Sequence, residues 1–307
     1  MTHRPTLSAI DYGKGDIGVY RFAAPTYRVP AIPESPFTGR AHDLFAAEVG
    51  VQVLGGPFAA AYTEGDNRNV VATDTMKNFV LKHALAFEGA TLEAFLDSLG
   101  RAFFEAYPDM ETLRLTGREV PFAAAPVRQG ETFVPSPVLL SRSRGDCGAA
   151  ALLVTREGVR ELESGRLGLQ LLKTTGSSFA SFARDAHTTL PEMHDRPLLI
   201  YLDAFWRYRD PAAALQTGTG ELTGYVASEQ VRDLLAATFH DVNSRSIQHL
   251  VYEMGVRLLA RFPQLREVRF EAQNRLWDHA FSDDETGRKV HTDPRPPYGR
   301  IGLTLTA

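Results

Sequence analysis

A chain of 307 residues, 44% hydrophobic and 23% charged, has room for two ordinary domains or one large one and the balance of a soluble globular protein. A formal net charge of −4 gives no electrostatic reason to bind nucleic acid or an anionic membrane, so an anionic ligand would have to be held by local donors. The single cysteine, Cys147, excludes an internal disulfide or a cysteine-based zinc site and is expected as a small buried residue. In chain order, a Tyr12-Gly13-Lys14 segment leads into a strand-like run from Ile17 to Phe22, and a Pro-rich connection follows over residues 25–40. Residues 43–54 alternate well enough to be a second strand. After Thr73-Asp74-Thr75, the apolar residues Met76, Phe79, Val80, Ala84 and Phe87 recur at helical spacing. A second helix starts after Thr91, with Leu92, Phe95, Leu96, Leu99 and Phe103 on one face, and stops by Pro108. Strands are predicted over 112–116 and 132–140.

The second half repeats this order. Strands are predicted over 149–154, 168–173 and 198–208, and the helices carry apolar faces at Val231, Leu234, Leu235, Phe239 and at Ile247, Leu250, Val251, Met254, Leu258. Val268 and Phe270 alternate in one further strand, and Ile301, Leu303 and Leu305 in the last. An offset of 155 residues relates position 74 to 229 and position 111 to 266. Two copies of strand pair, helix pair and strand pair are therefore expected, 1–145 and 146–307, each an antiparallel sheet with both helices on one face. A bare four-stranded sheet has open edges, which is a physical reason to expect oligomerisation.

Between the predicted strands ending at Lys173 and starting at Leu198, a Thr174-Thr175-Gly176-Ser177-Ser178 turn is followed by Phe179, Phe182 and Arg196. Glycine and the hydroxyl cluster break the strand, so this segment should protrude as a structured loop. An aromatic face and a guanidinium suit a flat anionic ligand, which stacks on the ring while the arginine fork donates two parallel hydrogen bonds. The same residues would also serve a packed loop with a core phenylalanine and a surface arginine. No histidine pair has metal-ligand spacing, and no glycine-rich nucleotide signature follows a strand. No run approaches the roughly 20 apolar residues that span a bilayer. The first residues lack an apolar signal core, and the terminal Leu-Thr-Ala is not a peroxisomal address, so a cytoplasmic location is expected.

The order Leu172-Lys173-Thr174-Thr175, Ser177-x-Phe179, Phe182-x-Arg184-Asp185, Thr188-Thr189-Leu190 and Asp195-Arg196, followed by an aromatic strand with Trp206, resembles the urate oxidase (uricase) family, in its bacterial form. Further similar segments lie near 12–14, 71–78, 246–248, 271–278 and 290–299. The resemblance implies an α+β fold of two tandem tunnelling-fold repeats that assemble into a barrel, in a homotetramer with active sites at subunit interfaces. It implies oxidation of urate by dioxygen and water to 5-hydroxyisourate and hydrogen peroxide, with no cofactor and no metal. Lys14 matches the family's motif lysine and Thr73 its proton-relay threonine, although a threonine there also makes a good helix N-cap. Phe179 would stack on the purine, Arg196 and Gln248 would grip one edge, and the Thr73 and Asp74 amides the other. The amide of Ile247 lies beside Gln248, and Asn274 matches the residue that holds water or dioxygen over the ring. Two positions later, where many members carry a relay histidine, this chain has Leu276, so water, His279 or His291 would have to fill that place. Two other classes are left open. One is a pterin or purine enzyme on the same fold, which would need a metal-binding His or Cys set. The other is a non-catalytic purine-binding protein, as Leu276 would allow.

Overall fold

In the computed structural model, the described residues are 6–307 except 143, 219, 276, 294 and 295. They form two compact units. The first takes in the described residues of Met1–Pro30, Thr38–Ser164 and Asp210–Ala227; the second takes in Ala31–Phe37, Gly165–Arg209 and Ser228–Ala307.

In the first unit, strands β1 (Asp11–Arg21), β2 (Tyr27–Arg28), β3 (Gly39–Arg40) and β4 (Phe45–Leu54) precede helices α1 (Ala59–Thr63), α2 (Thr73–Ala86) and α3 (Leu92–Ala106). Strands β5 (Thr112–Glu119), β6 (Phe122–Gln129), β7 (Thr132–Arg142) and β8 (Cys147–Thr155) follow. The sheet order is β1-β4-β5-β8, with β1 against β4, β4 against β5 and β5 against β8 all antiparallel. In β4 the alternation expected from the sequence is met, since Val49, Val51 and Val53 are buried. Helix α3 packs on β5 and β8, and its Phe95, Leu96, Leu99 and Phe103 are fully buried. The Thr91 side chain caps α3 by accepting from the amide of Ala94, which explains where that helix starts.

Strand β6 was not expected. It pairs with β7 in a separate two-stranded ribbon that carries Pro126 opposite Pro135, and proline has no ladder donor to give a main sheet. The predicted strand at 132–140 thus lies in that ribbon. Cys147 opens β8 and is half-buried, where full burial was expected.

Strand β9 (Gly158–Lys173) spans the unit boundary and is far longer than the predicted 168–173. The second unit continues with β10 (Leu198–Tyr208), α4 (Ser228–Asp241), α5 (Ile247–Arg261), β11 (Leu265–Arg275), β12 (His279–Asp283), β13 (Arg288–His291) and β14 (Gly299–Thr306). Its sheet runs β9-β10-β11-β14, with β10 against β11 and β11 against β14 antiparallel. Helix α5 packs on β11 and β14, and Gly255 lets it approach closely, since a Cβ there would come 2.5 Å from the end of the Leu305 side chain. Strands β12 and β13 form an exposed hairpin of their own.

Candidate active site

The loop between β9 and β10 is fastened at both ends. At its start, the Lys173 ammonium donates to the carbonyls of Phe239, His240 and Val242 at 2.9, 3.0 and 2.9 Å. These lie at or just past the C-terminus of α4, where helix carbonyls lack partners and the dipole favours a cation. At its end, the Asp195 carboxylate accepts from the Thr175 hydroxyl (2.6 Å) and from the amide of Gly176 (2.7 Å). These bonds hold the carboxyl below the usual carboxylate range. Between the two ends, Ser177 bridges to Ser244 beside the start of α5, and Phe179 exchanges backbone bonds with Met193 at 2.7 and 2.9 Å. The Arg196 amide donates to the Ser177 carbonyl at 2.8 Å. The loop is structured, as expected.

These contacts bring five of the expected residues to one place. A cavity of about 210 Å³ is lined by Phe179, Arg196, Ile247, Gln248 and Asn274, together with Leu190, Gly299, Arg300 and Ile301. Arg196 is 6% exposed, its guanidinium lies 5.4 Å from the centre of the Phe179 ring, and its Nε has no hydrogen-bond partner. Burial pushes its pKa down. Among the described residues no carboxylate pairs with it, so a buried cation faces a cavity without a counter-charge. Asn274 Oδ1 is also buried and partnerless. At the start of α5 the Ser246 hydroxyl accepts from the amide of His249 (3.1 Å). The earlier amides of Ile247 and Gln248 keep their donor capacity, because first-turn N–H groups have no carbonyl four residues back. The cavity therefore offers a ring face, a cation, helix-start amides and one amide oxygen. That set fits a flat anion carrying a ring N–H.

The four additional lining residues were missed from sequence. Gly299 and Ile301 reach the cavity because β14 pairs with β11, setting Gly299 opposite Asn274. Only the register of those two strands could have revealed this. The volume is below the roughly 300 Å³ typical of a small-molecule pocket, so this is a partial enclosure. A larger cleft of about 670 Å³ in the first unit, beside α3 and the β8–β9 turn, contains none of the expected residues. Several of its charges have protein partners: Asp97 with Arg101, Glu157 with Arg160, and Arg156 with carbonyls at the end of α3.

The other three expected residues lie in the first unit. Lys14 lies on β1 opposite Val51, at a register shift between Lys14 and Ile17, with Asp16 at φ 52°. Such bulges re-aim a side chain. Gly13 is obligatory, because a Cβ there would sit 2.0 Å from the Val51 carbonyl oxygen. The Tyr12 hydroxyl accepts from the amide of Val71 (3.2 Å), tying β1 to the segment that opens α2. Thr73 is the first residue of α2. The capping position is Ala72, with no side-chain cap, so the alternative role of Thr73 as N-cap does not hold and its hydroxyl is not engaged there. The Asp74 carboxylate accepts from Lys77 (2.5 Å) and Asn78 (3.1 Å) and is held low by Lys77 first, with Lys14 near enough to add to the effect.

Leu276 and part of the 292–299 segment lie outside the described residues. His279 and His291 pair across the β12–β13 hairpin with ring centres 5.5 Å apart, and neither lines the cavity.

A family model described as Uricase matches residues 162–302. The chain is 42% identical over 302 residues to a uric acid degradation bifunctional protein of Bacillus sp. TB-90, covering 96% of this chain and 60% of that protein. It is also 42% identical to a uricase of Haloferax volcanii, covering 94% of this chain and 96% of the relative. A crystal structure of urate oxidase from Bacillus sp. TB-90 superposes with a TM-score of 0.92 at 42% identity, covering 97% of this chain and 100% of that one. The chain spans only about 60% of the length of the two bifunctional relatives it matches.

Proposed function

Since the chain belongs to the uricase family, we propose that it oxidises urate with dioxygen and water to 5-hydroxyisourate and hydrogen peroxide. The observation that carries this reading is the buried, unpaired Arg196 facing a cavity it shares with Phe179, Gln248 and Asn274. A partly desolvated cation without a counter-charge is destabilising, and an anionic ligand offsets that cost. Phe179 stacks on the purine, while Arg196 and Gln248 hold its carbonyl and ring-nitrogen edge beside the amide of Ile247. Asn274 holds water or dioxygen over the ring.

Lys14 and Thr73 take a proton from the bound urate monoanion, and the amides of Thr73 and Asp74 hold the far edge. The dianion so formed is electron-rich enough to reduce dioxygen itself, so the reaction runs without metal or organic cofactor. Donors preorganised for the extra negative charge are the main catalytic term; a positioned proton acceptor adds about 10²–10⁴-fold.

The two sets of residues belong to two tandem tunnelling-fold repeats, 1–145 and 146–307. Copies of the chain pair them across subunit boundaries in a homotetrameric barrel in the cytoplasm. Three features support association between copies: the cavity is too small to enclose a ligand alone, β1 and β14 leave open sheet edges, and Phe22, Leu85, Val138 and Phe281 are exposed. The test follows ultraviolet absorbance of urate, dioxygen uptake and peroxide together. Stoichiometric loss and release are expected. Urate that persists under saturating dioxygen would overturn the reading, as would turnover that Lys14→Ala leaves unchanged.

A further inference from the structure

The reaction above uses Phe179 but gives no task to Phe182 or Arg184. The rings of Phe179 and Phe182 stack with centres 4.8 Å apart and planes 12° from parallel. The Arg184 guanidinium lies over the Phe182 ring at 5.4 Å, and its Nη1 donates to the Leu190 carbonyl at 3.3 Å. Phe179 and Leu190 line the cavity; Phe182 and Arg184 do not. Phe182 therefore covers the face of Phe179 turned away from the ligand.

The backbone is bent to achieve this. Ser181 sits at φ 58°, a left-handed conformation that a serine adopts at a cost, and its amide is held by the Glu192 carboxylate at 3.1 Å. That turn folds Phe182 back onto Phe179. Strain concentrated between two ring-bearing residues beside a cavity points to a positional requirement rather than to loop closure, which Gly176 and the Asp195 carboxylate already supply.

The physical need is specific. An aromatic face carries the negative lobe of the ring quadrupole, so an anion stacked on Phe179 is repelled by the surface that holds it. A second ring fixes the plane, and a cation behind that ring draws its charge away from the ligand side. We propose that Arg184, Phe182 and Phe179 form a cation-backed aromatic column. Phe182 and Arg184 act in it as positioning residues that select an anionic over a neutral purine. The inference rests on the urate reading for the identity of that purine.

The test uses the full chain with Phe182→Leu, Phe182→Tyr and Arg184→Met. It reads KM and kcat for urate, thermal unfolding, and the Kd of xanthine at pH values on either side of its first ionisation. Phe182→Leu is expected to raise KM by about three- to tenfold, with the smaller change in kcat. Phe182→Tyr should restore KM to within about twofold. Arg184→Met, at an exposed position that does not endanger folding, should weaken the xanthine anion by about two- to fivefold and leave the neutral form unchanged. The column is overturned if Phe182→Leu lowers thermal stability without moving KM, or if Arg184→Met weakens both ionisation states equally. A wild-type chain that binds xanthine anion but leaves urate intact would sink the urate reading alone, with the column still judged by the xanthine arm. One that binds neither purine overturns both.

Discussion

Replacing Arg196 by methionine should make the protein more stable and worse at its task. The guanidinium is 6% exposed, its Nε has no partner, and the nearest compensation is the Phe179 ring at 5.4 Å. A buried ion costs several kcal/mol even after relaxation, and a cation–π contact returns about 0.5–2 kcal/mol of it. Methionine keeps the unbranched stem and removes the charge, so a gain of about 1–3 kcal/mol is expected. At roughly 2–4 °C per kcal/mol for a chain of this class, the unfolding midpoint should rise by about 2–12 °C. Ligand binding loses charge-assisted hydrogen bonds of about 1.5–3 kcal/mol each, so KM for urate should rise about 100-fold or more.

The sign with pH follows from the lowered pKa. The unfolded chain holds this proton more tightly than the folded one, so the charge destabilises the fold at every pH below the lowered value. Stability would be recovered only as pH rose through it. Because a guanidinium stays charged across the ordinary working range, the midpoint gain should be equal at pH 6 and pH 9. Paired unfolding and steady-state assays at both values check this. A variant that melts lower while keeping its KM within a few-fold of wild type would refute the argument that Arg196 is held unpaired for an anion.

Because the Thr73 hydroxyl caps nothing, Thr73→Val should cost less than about 0.5 kcal/mol, well under the typical 1 kcal/mol of a lost cap. It should nevertheless cut kcat by about 10²-fold or more; a large stability loss with activity retained would return Thr73 to a structural role. Gly13→Ala drives a Cβ to 2.0 Å from the Val51 carbonyl. It should displace Lys14, destabilise by about 1–3 kcal/mol and depress turnover, read by calorimetry and kcat. Lys173→Met strips three carbonyls at the end of α4 of their shared donor. A loss of about 1.5–3 kcal/mol with a raised KM is expected, and an unmoved midpoint would show that the anchor is idle. Asp195 has a lowered folded pKa, from the Thr175 hydroxyl and then the Gly176 amide. Its contribution is therefore present above the unfolded value near 3.9 and is lost as pH falls through the folded one. Asp195→Asn should abolish that acid-side loss of loop order, followed by hydrogen exchange at Gly176.

What could be read from the sequence follows from where each side chain spends its polarity. Strand β10 was legible to its ends, because every second residue from Leu198 to Tyr208 is buried and apolar. The first half of β9 was not. Its buried positions include Ser164 at 0% and Arg166 at 2% exposure, so polar residues occupy the inward face and the alternation cannot be seen. Ser164 meets the Glu93 carboxylate, whose other oxygen accepts from Tyr225, and such a pairing 71 residues away has no local signature. The β12 strand of the outer hairpin is exposed at every position, which leaves it no period at all.

The site divides along the same line. Its loop was legible because a Gly-Ser turn, two rings and an Asp-Arg pair serve no regular element. The helix starts at Thr73 and Ser246 were legible because apolar periodicity begins just after them. What could not be read is that Arg196 is enclosed without a partner, since charge and burial are independent until the fold is known. That unpaired cation is what favours a ligand site over a packed loop, the two readings that the residues alone left standing. A structural arginine at 6% exposure would be expected to meet a carboxylate. Here it meets a ring face, a helix start and an empty hydrogen-bonding direction on Asn274. The fold bears the cost of a positive charge with a buried, partnerless donor, and the cavity is where an anion would relieve it.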